Sequence, residues 1–291
     1  MEIREFAEKL RERLLEELND VSEIRIDTML RNNSVTLTGL VFVKKDCKAC
    51  PTIYLEEAYS SYLSGRSMDA IISDIIKAYR AARIREDVDV SFIHSWETVK
   101  PMVVYKLVNT EKNKELLSKA PHKEVLDLSM VFCIALKQYG GTIQIYNNHC
   151  DIWGVGVEEL VNAARENTPQ LYPVNVTTMG EIAREMGMGE ISELMQPMDM
   201  CILTNENRFW GAAAMLYQDT VKRVAEQMED DLYILPSSTH EVIVLPAKDL
   251  EADELKGMVR HANSTVVSEE DILSDSVYCY HRKTMQFDMV A

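Results

Sequence analysis

Residues 232–245 read LYILPSSTHEVIVL, two apolar runs separated by the polar hexapeptide at 236–241. Tyr233-Ile234-Leu235 and Val242-Ile243-Val244-Leu245 are rich in β-branched residues and lack strict alternation, which predicts strands covered on both faces. Pro236-Ser237-Ser238 supplies the turn chemistry between them. The next periodic segment, 251–263, repeats Leu255, Met258, Val259 and Ala262 at helical spacing, so a helix is expected to cover the hairpin. The unit is strand, turn, strand, helix.

The same order recurs toward the N-terminus. Segments 200–204 and 209–216 precede a helical pattern at 218–229, and 128–138 with 142–147 precedes one at 157–167. Segments 23–30 and 34–45, joined across Asn32-Asn33, precede a helical stripe at 53–63 opened by Pro51. Gly211-Ala212-Ala213-Ala214 fits a strand least well, because alanine favours helix; a helix lying close against a sheet is the competing reading there. The copies share negligible sequence identity, so architecture recurs without a sequence repeat. The fold class expected is α+β, antiparallel hairpins covered by amphipathic helices. One such helix opens the chain on Ile3, Phe6, Leu10 and Leu14. Charge and isolated apolar anchors mix over 86–101, which divides an N-terminal α+β subdomain, 1–100, from an acidic C-terminal one, 101–291; one compact unit is the alternative.

The 291 residues carry 31 Lys and Arg against 47 Asp and Glu, a net charge of −16, and 46% of them are hydrophobic, enough for a full core. The acidity is uneven, with a net −2 on residues 1–108 and −14 on 109–291. Nucleic acid is thereby disfavoured as a partner, since its affinity rests on Lys and Arg neutralising phosphates. No apolar run reaches the roughly eighteen residues a membrane helix needs. Charges break the apolar residues over 1–18 into ones and twos, unlike the continuous apolar core of a secretory signal, so a cytoplasmic location is expected. Six cysteines in a chain this long are too sparse for a disulfide scaffold and are expected as thiols.

Four short motifs bear on chemistry. Ser237, Ser238, His240 and Glu241 sit at the tip of an apolar hairpin and include the residue types of a nucleophile, a base and an orienter. Neighbours on a strand point to opposite faces, however, so the competing reading is a turn in which these groups serve the backbone. Cys47 and Cys50 form a lone CxxC before a helix, the spacing of a redox or metal pair, yet no second pair completes four ligands. His149 and Asp151 offer metal-compatible groups in a second polar segment. Gly187-Met188-Gly189 lacks the third glycine of a dinucleotide loop, and no phosphate loop or HExxH helix is present, so no cofactor and no metal are expected.

A set of strings spread along the chain resembles a known family: PTIYLE at 51–56, NTEKNKELL at 109–117, LTN at 203–205, GAAAMLY at 211–217, LPSS at 235–238, HEV at 240–242 and LSDSVY at 273–278. Together they resemble the uncharacterised bacterial family of unknown function 5688. The resemblance implies no activity and assigns no residue a role. Two functional readings are carried. The first is a non-catalytic binding or chaperone-like protein, with a protein or small molecule as partner. The second is a hydrolase-like enzyme using the loop from Ser237 to Glu241.

Overall fold

The computed structural model describes residues 1–44, 50–81, 91–137, 141–185, 187 and 200–291. The chain divides into two compact units, Met1–Phe92 and Ile93–Ala291. Both are α+β with antiparallel sheets, and no helix among the described residues is long and apolar enough to cross a membrane.

In the first unit the helix Ile3–Glu17 buries Phe6, Ala7, Leu10 and Leu14. Strands β1 (Glu23–Leu30), β2 (Thr36–Val43) and β3 (Thr52–Tyr54) follow in spatial order β1-β2-β3. Asn33 adopts φ 58° in the β1–β2 connection, a left-handed conformation that asparagine tolerates better than most residues. Ile24 pairs with Phe42, and Leu40 with both Ile26 and Ile53, so the period of two directs these residues to one face. The helix Met68–Ala81 adds Ile71, Ile72, Ile75, Ile76 and Tyr79 to the same core. The stripe at 53–63 begins later than its sequence predicts. Thr52–Tyr54 pairs with β2, and the helix starts at Glu56, whose carboxylate accepts the Thr38 amide at 2.6 Å. A free edge on β2 thus outweighs the helix-opening preference of Pro51.

The second unit holds two sheets. In the first, β4 (Val103–Asn109) lies along β6 (Leu128–Leu136), whose other edge is shared by β5 (His122–Val125) and β7 (Gly141–Gln144). Residues 128–135 of β6 are all buried. The second sheet runs β13-β12-β10-β11-β9-β8. Its strands are β8 (Val174–Thr178), β9 (Cys201–Asn205), β10 (Leu232–Leu235), β11 (Val242–Pro246), β12 (Tyr278–His281) and β13 (Gln286–Met289).

The hairpin that opened the reading is β10–β11, registered by Leu235 opposite Ile243 and Leu232 opposite Pro246. Leu232, Ile234, Val242 and Val244 are fully buried on one face, while Tyr233, Ile243 and Leu245 pack beneath the helix Ala252–Thr265 with its Leu255 and Val259. Segment 209–216 is not the strand expected of it. It is a buried 3-10 helix, Gly211–Leu216, entered through left-handed Arg208 and Trp210. Close approach explains the small residues. A Cβ on Gly211 would stand 2.2 Å from Thr204 Oγ1 and 2.3 Å from the His240 carbonyl oxygen. Tyr105 of β4 donates its hydroxyl to the Ala213 carbonyl at 3.1 Å, tying this helix to the first sheet.

Candidate functional site

The connection from β10 to β11 is laced to residues 271–274. The Leu273 amide donates to Ser237 O (3.1 Å), the Ser274 amide to Pro236 O (2.9 Å), and the Thr239 amide to Asp271 O (2.8 Å). Ser238 is buried, and its hydroxyl oxygen accepts the His240 amide at 3.0 Å. The His240 carbonyl accepts from Thr204 Oγ1 at 2.7 Å. Its ring is held from both ends: Nε2 contacts Asp271 Oδ1 at 3.0 Å, and the Trp210 amide donates to Nδ1 at 3.4 Å. These partners assign the proton to Nε2, with Nδ1 as acceptor. The carboxylate that orients His240 is therefore Asp271, itself held by Ser268 Oγ at 2.5 Å. Glu241 follows on the chain, half-buried. The structure thus brings Ser238 and His240 together through a backbone amide, whereas Ser237 contributes its carbonyl to the lacing.

His149 lies in the short helix Asn147–Trp153. Its Nδ1 accepts the Tyr146 amide at 3.0 Å, its ring stacks on Trp153 at 5.5 Å, and burial pushes its pKa down. Asp151 is exposed on the same helix. Cys50 is half-buried, and Cys47 lies outside the described residues.

A second histidine cluster forms at the β10-β12-β13 edge of the six-stranded sheet. Cys279 and His281, two residues apart on β12, share a face. Asp288 of β13 lies opposite Cys279, and Asp231 immediately precedes β10, whose Leu232 pairs with Tyr280. Four side chains, from β12, β13 and the entry to β10, therefore converge. His281 Nδ1 contacts Asp231 Oδ2 at 3.0 Å, its Nε2 contacts Asp288 Oδ2 at 3.0 Å, and Cys279 Sγ lies 3.8 Å from Nδ1. Both ring nitrogens donate to carboxylates: the hydrogen bond to Asp231 is the largest influence on the His281 pKa and raises it, burial opposes it, and the hydrogen bond to Asp288 raises it further. The Asp231 pKa is lowered by His281 and by the Arg282 amide, which donates to Oδ1 at 2.9 Å. Cys279 is buried, which pushes its thiol up to about 11, with the nearby aspartates adding to the shift. An open cleft of about 560 Å³ lies over Asp231, His281 and Asp288. Among the described residues, Asp231, Cys279 and His281 form a group whose ligand atoms all lie within 4.8 Å of one another.

A family model described as a family of unknown function, DUF5688, matches residues 3–282. The chain belongs to this family. No curated protein and no solved structure matches it. The strings by which the sequence resembles DUF5688 are scattered over 51–278, and the second unit gathers most of them. Asn109 Nδ2 donates to Leu273 O at 3.0 Å. Asp127 accepts the hydroxyls of Ser274 (2.7 Å), Ser276 (3.2 Å) and Tyr278. Thr204, Gly211 and His240 meet as described above. In this chain the polar side chains named here join parts of the second unit, engaging backbone carbonyls and the Asp127 carboxylate.

Proposed function

We propose that the protein is a non-catalytic binding protein of the bacterial cytoplasm. The observation that carries this reading is the saturation of His240. A general base needs a free ring nitrogen within reach of the hydroxyl it deprotonates, whereas Nδ1 here accepts a backbone amide and Nε2 is held by Asp271. Ser238 Oγ is likewise engaged by an amide. The charge of residues 109–291 supports a cationic partner, since a one-signed field raises the rate of encounter with opposite charge. The described cysteines are all free thiols, the state that a reducing cytoplasm maintains.

The test is to expose the full chain to a fluorophosphonate probe and a chromogenic ester. No modification of Ser237 or Ser238 and no His240-dependent turnover is expected. Labelling of either serine that disappears in His240→Ala would overturn the reading and put the hydrolase-like one in its place.

A further inference from the structure

We propose that Asp231, Cys279 and His281 bind one divalent metal ion of zinc's class, with Asp288 positioning the histidine. Thiolate, imidazole and carboxylate together are a donor set that suits zinc, which prefers four ligands in a tetrahedron. Zinc bond lengths place tetrahedral ligand atoms roughly 3.3–3.7 Å apart. His281 Nδ1 stands 3.0 Å from Asp231 Oδ2 and 3.8 Å from Cys279 Sγ, so side-chain adjustments of a few tenths of an ångström bring these pairs to that spacing.

The surrounding hydrogen bonds leave the right atoms facing the ion. Metal-bound histidines commonly donate their second ring N–H to a carboxylate. His281 Nε2 does so to Asp288, which directs Nδ1 toward Cys279 and Asp231. Asp231 Oδ1 is engaged by the Arg282 amide, leaving Oδ2 as the ligand atom. Asp230 is excluded from the set, because its two oxygens accept the amides of Asp231 and Lys248 at 2.8 Å each. Binding releases the Cys279 thiol proton and the Nδ1 proton of His281 to solvent. The fourth position opens to the cleft, where water completes the shell. This inference is independent of the binding reading, which concerns the His240 loop.

The full chain, stripped with chelator and freed of any histidine tag, would be titrated with zinc and separately with cobalt(II), whose thiolate charge-transfer absorption reports cysteine ligation. One equivalent per chain is expected, with a thiolate band. Cys279→Ser should abolish that band, and Asp288→Asn, at an exposed position, should weaken affinity about 10-fold or more. A double Cys47→Ser, Cys50→Ser variant should bind as the parent does. Failure to take up a stoichiometric ion would overturn the proposal. So would a site that survives both Cys279→Ser and Asp288→Asn, or one that is lost in the Cys47, Cys50 double variant.

Discussion

His240 and His281 both contact carboxylates in the second unit and are about equally exposed, at 29% and 35% of the side chain, so exposure does not distinguish them. Their surroundings do. All four hydrogen-bonding groups of His240, the amide, the carbonyl and both ring nitrogens, are matched by protein partners. The ring nitrogens of His281 are matched as well, but both by aspartates, next to a buried thiol and on the wall of an open cleft. The lesson is that a polar cluster in a sequence marks a place where polarity is needed, and only the partners reveal whether folding has consumed it. The His240 groups hold a connection between two strands. The His281 groups retain an arrangement that an ion can use.

The largest way to break this contrast is to wedge the first cluster apart. Gly211→Ala would put a Cβ 2.2 Å from Thr204 Oγ1 and 2.3 Å from the His240 carbonyl, and one of these contacts is backbone. Overpacking of this kind costs about 3 kcal/mol or more. Chemical denaturation should show that loss, and an unchanged midpoint would mean that the 3-10 helix is not anchored as described.

The smallest effect sharpens the scale of the contrast and lies in the first unit. Asp20 accepts from Lys44 Nζ and from the Tyr79 hydroxyl, each at 3.0 Å, at a largely exposed position. The Lys44 hydrogen bond, aided by Tyr79, lowers the Asp20 pKa despite partial burial. A depressed folded pKa contributes stability that is present above the unfolded carboxylate value and is lost as pH falls through the folded value. Asp20→Asn should therefore cost less than about 1 kcal/mol at neutral pH, and the difference from the parent should vanish on acidification through the carboxylate range. A difference that grows as pH falls would reverse the assigned sign.

Much of the scaffold was legible because its signals are local. The β1–β2 and β10–β11 hairpins announce themselves by β-branched runs on either side of a turn, and the helix at 252–265 by its apolar spacing. The strands β5, β8, β12 and β13 do not, because short runs such as His122–Val125 and Gln286–Met289 are largely polar and gain their strand character from a neighbour's free edge. Segment 209–216 misleads for a related reason, since its small residues answer to the proximity of Thr204 and His240, invisible along the chain. The loop residues Ser238 and His240 were found as a cluster, but the carboxylate that orients the ring, Asp271, comes 31 residues later. The edge cluster draws on positions 231, 279, 281 and 288. Its one local trace is the Cys-x-His spacing at 279–281, which means a shared face only once the segment is known to be a strand.

The central claim, that the His240 cluster is consumed by folding and the His281 cluster is not, is tested most directly by urea denaturation of full-length His240→Ala and His281→Ala, side by side with chelator at neutral pH. The account predicts that His240→Ala loses about 1–2 kcal/mol, because it removes a hydrogen bond to a carboxylate and strands a backbone amide. His281→Ala should lose less than about 1 kcal/mol, as expected of a solvent-screened ion pair. A His240→Ala protein as stable as the parent, or a larger loss in His281→Ala than in His240→Ala, would contradict it.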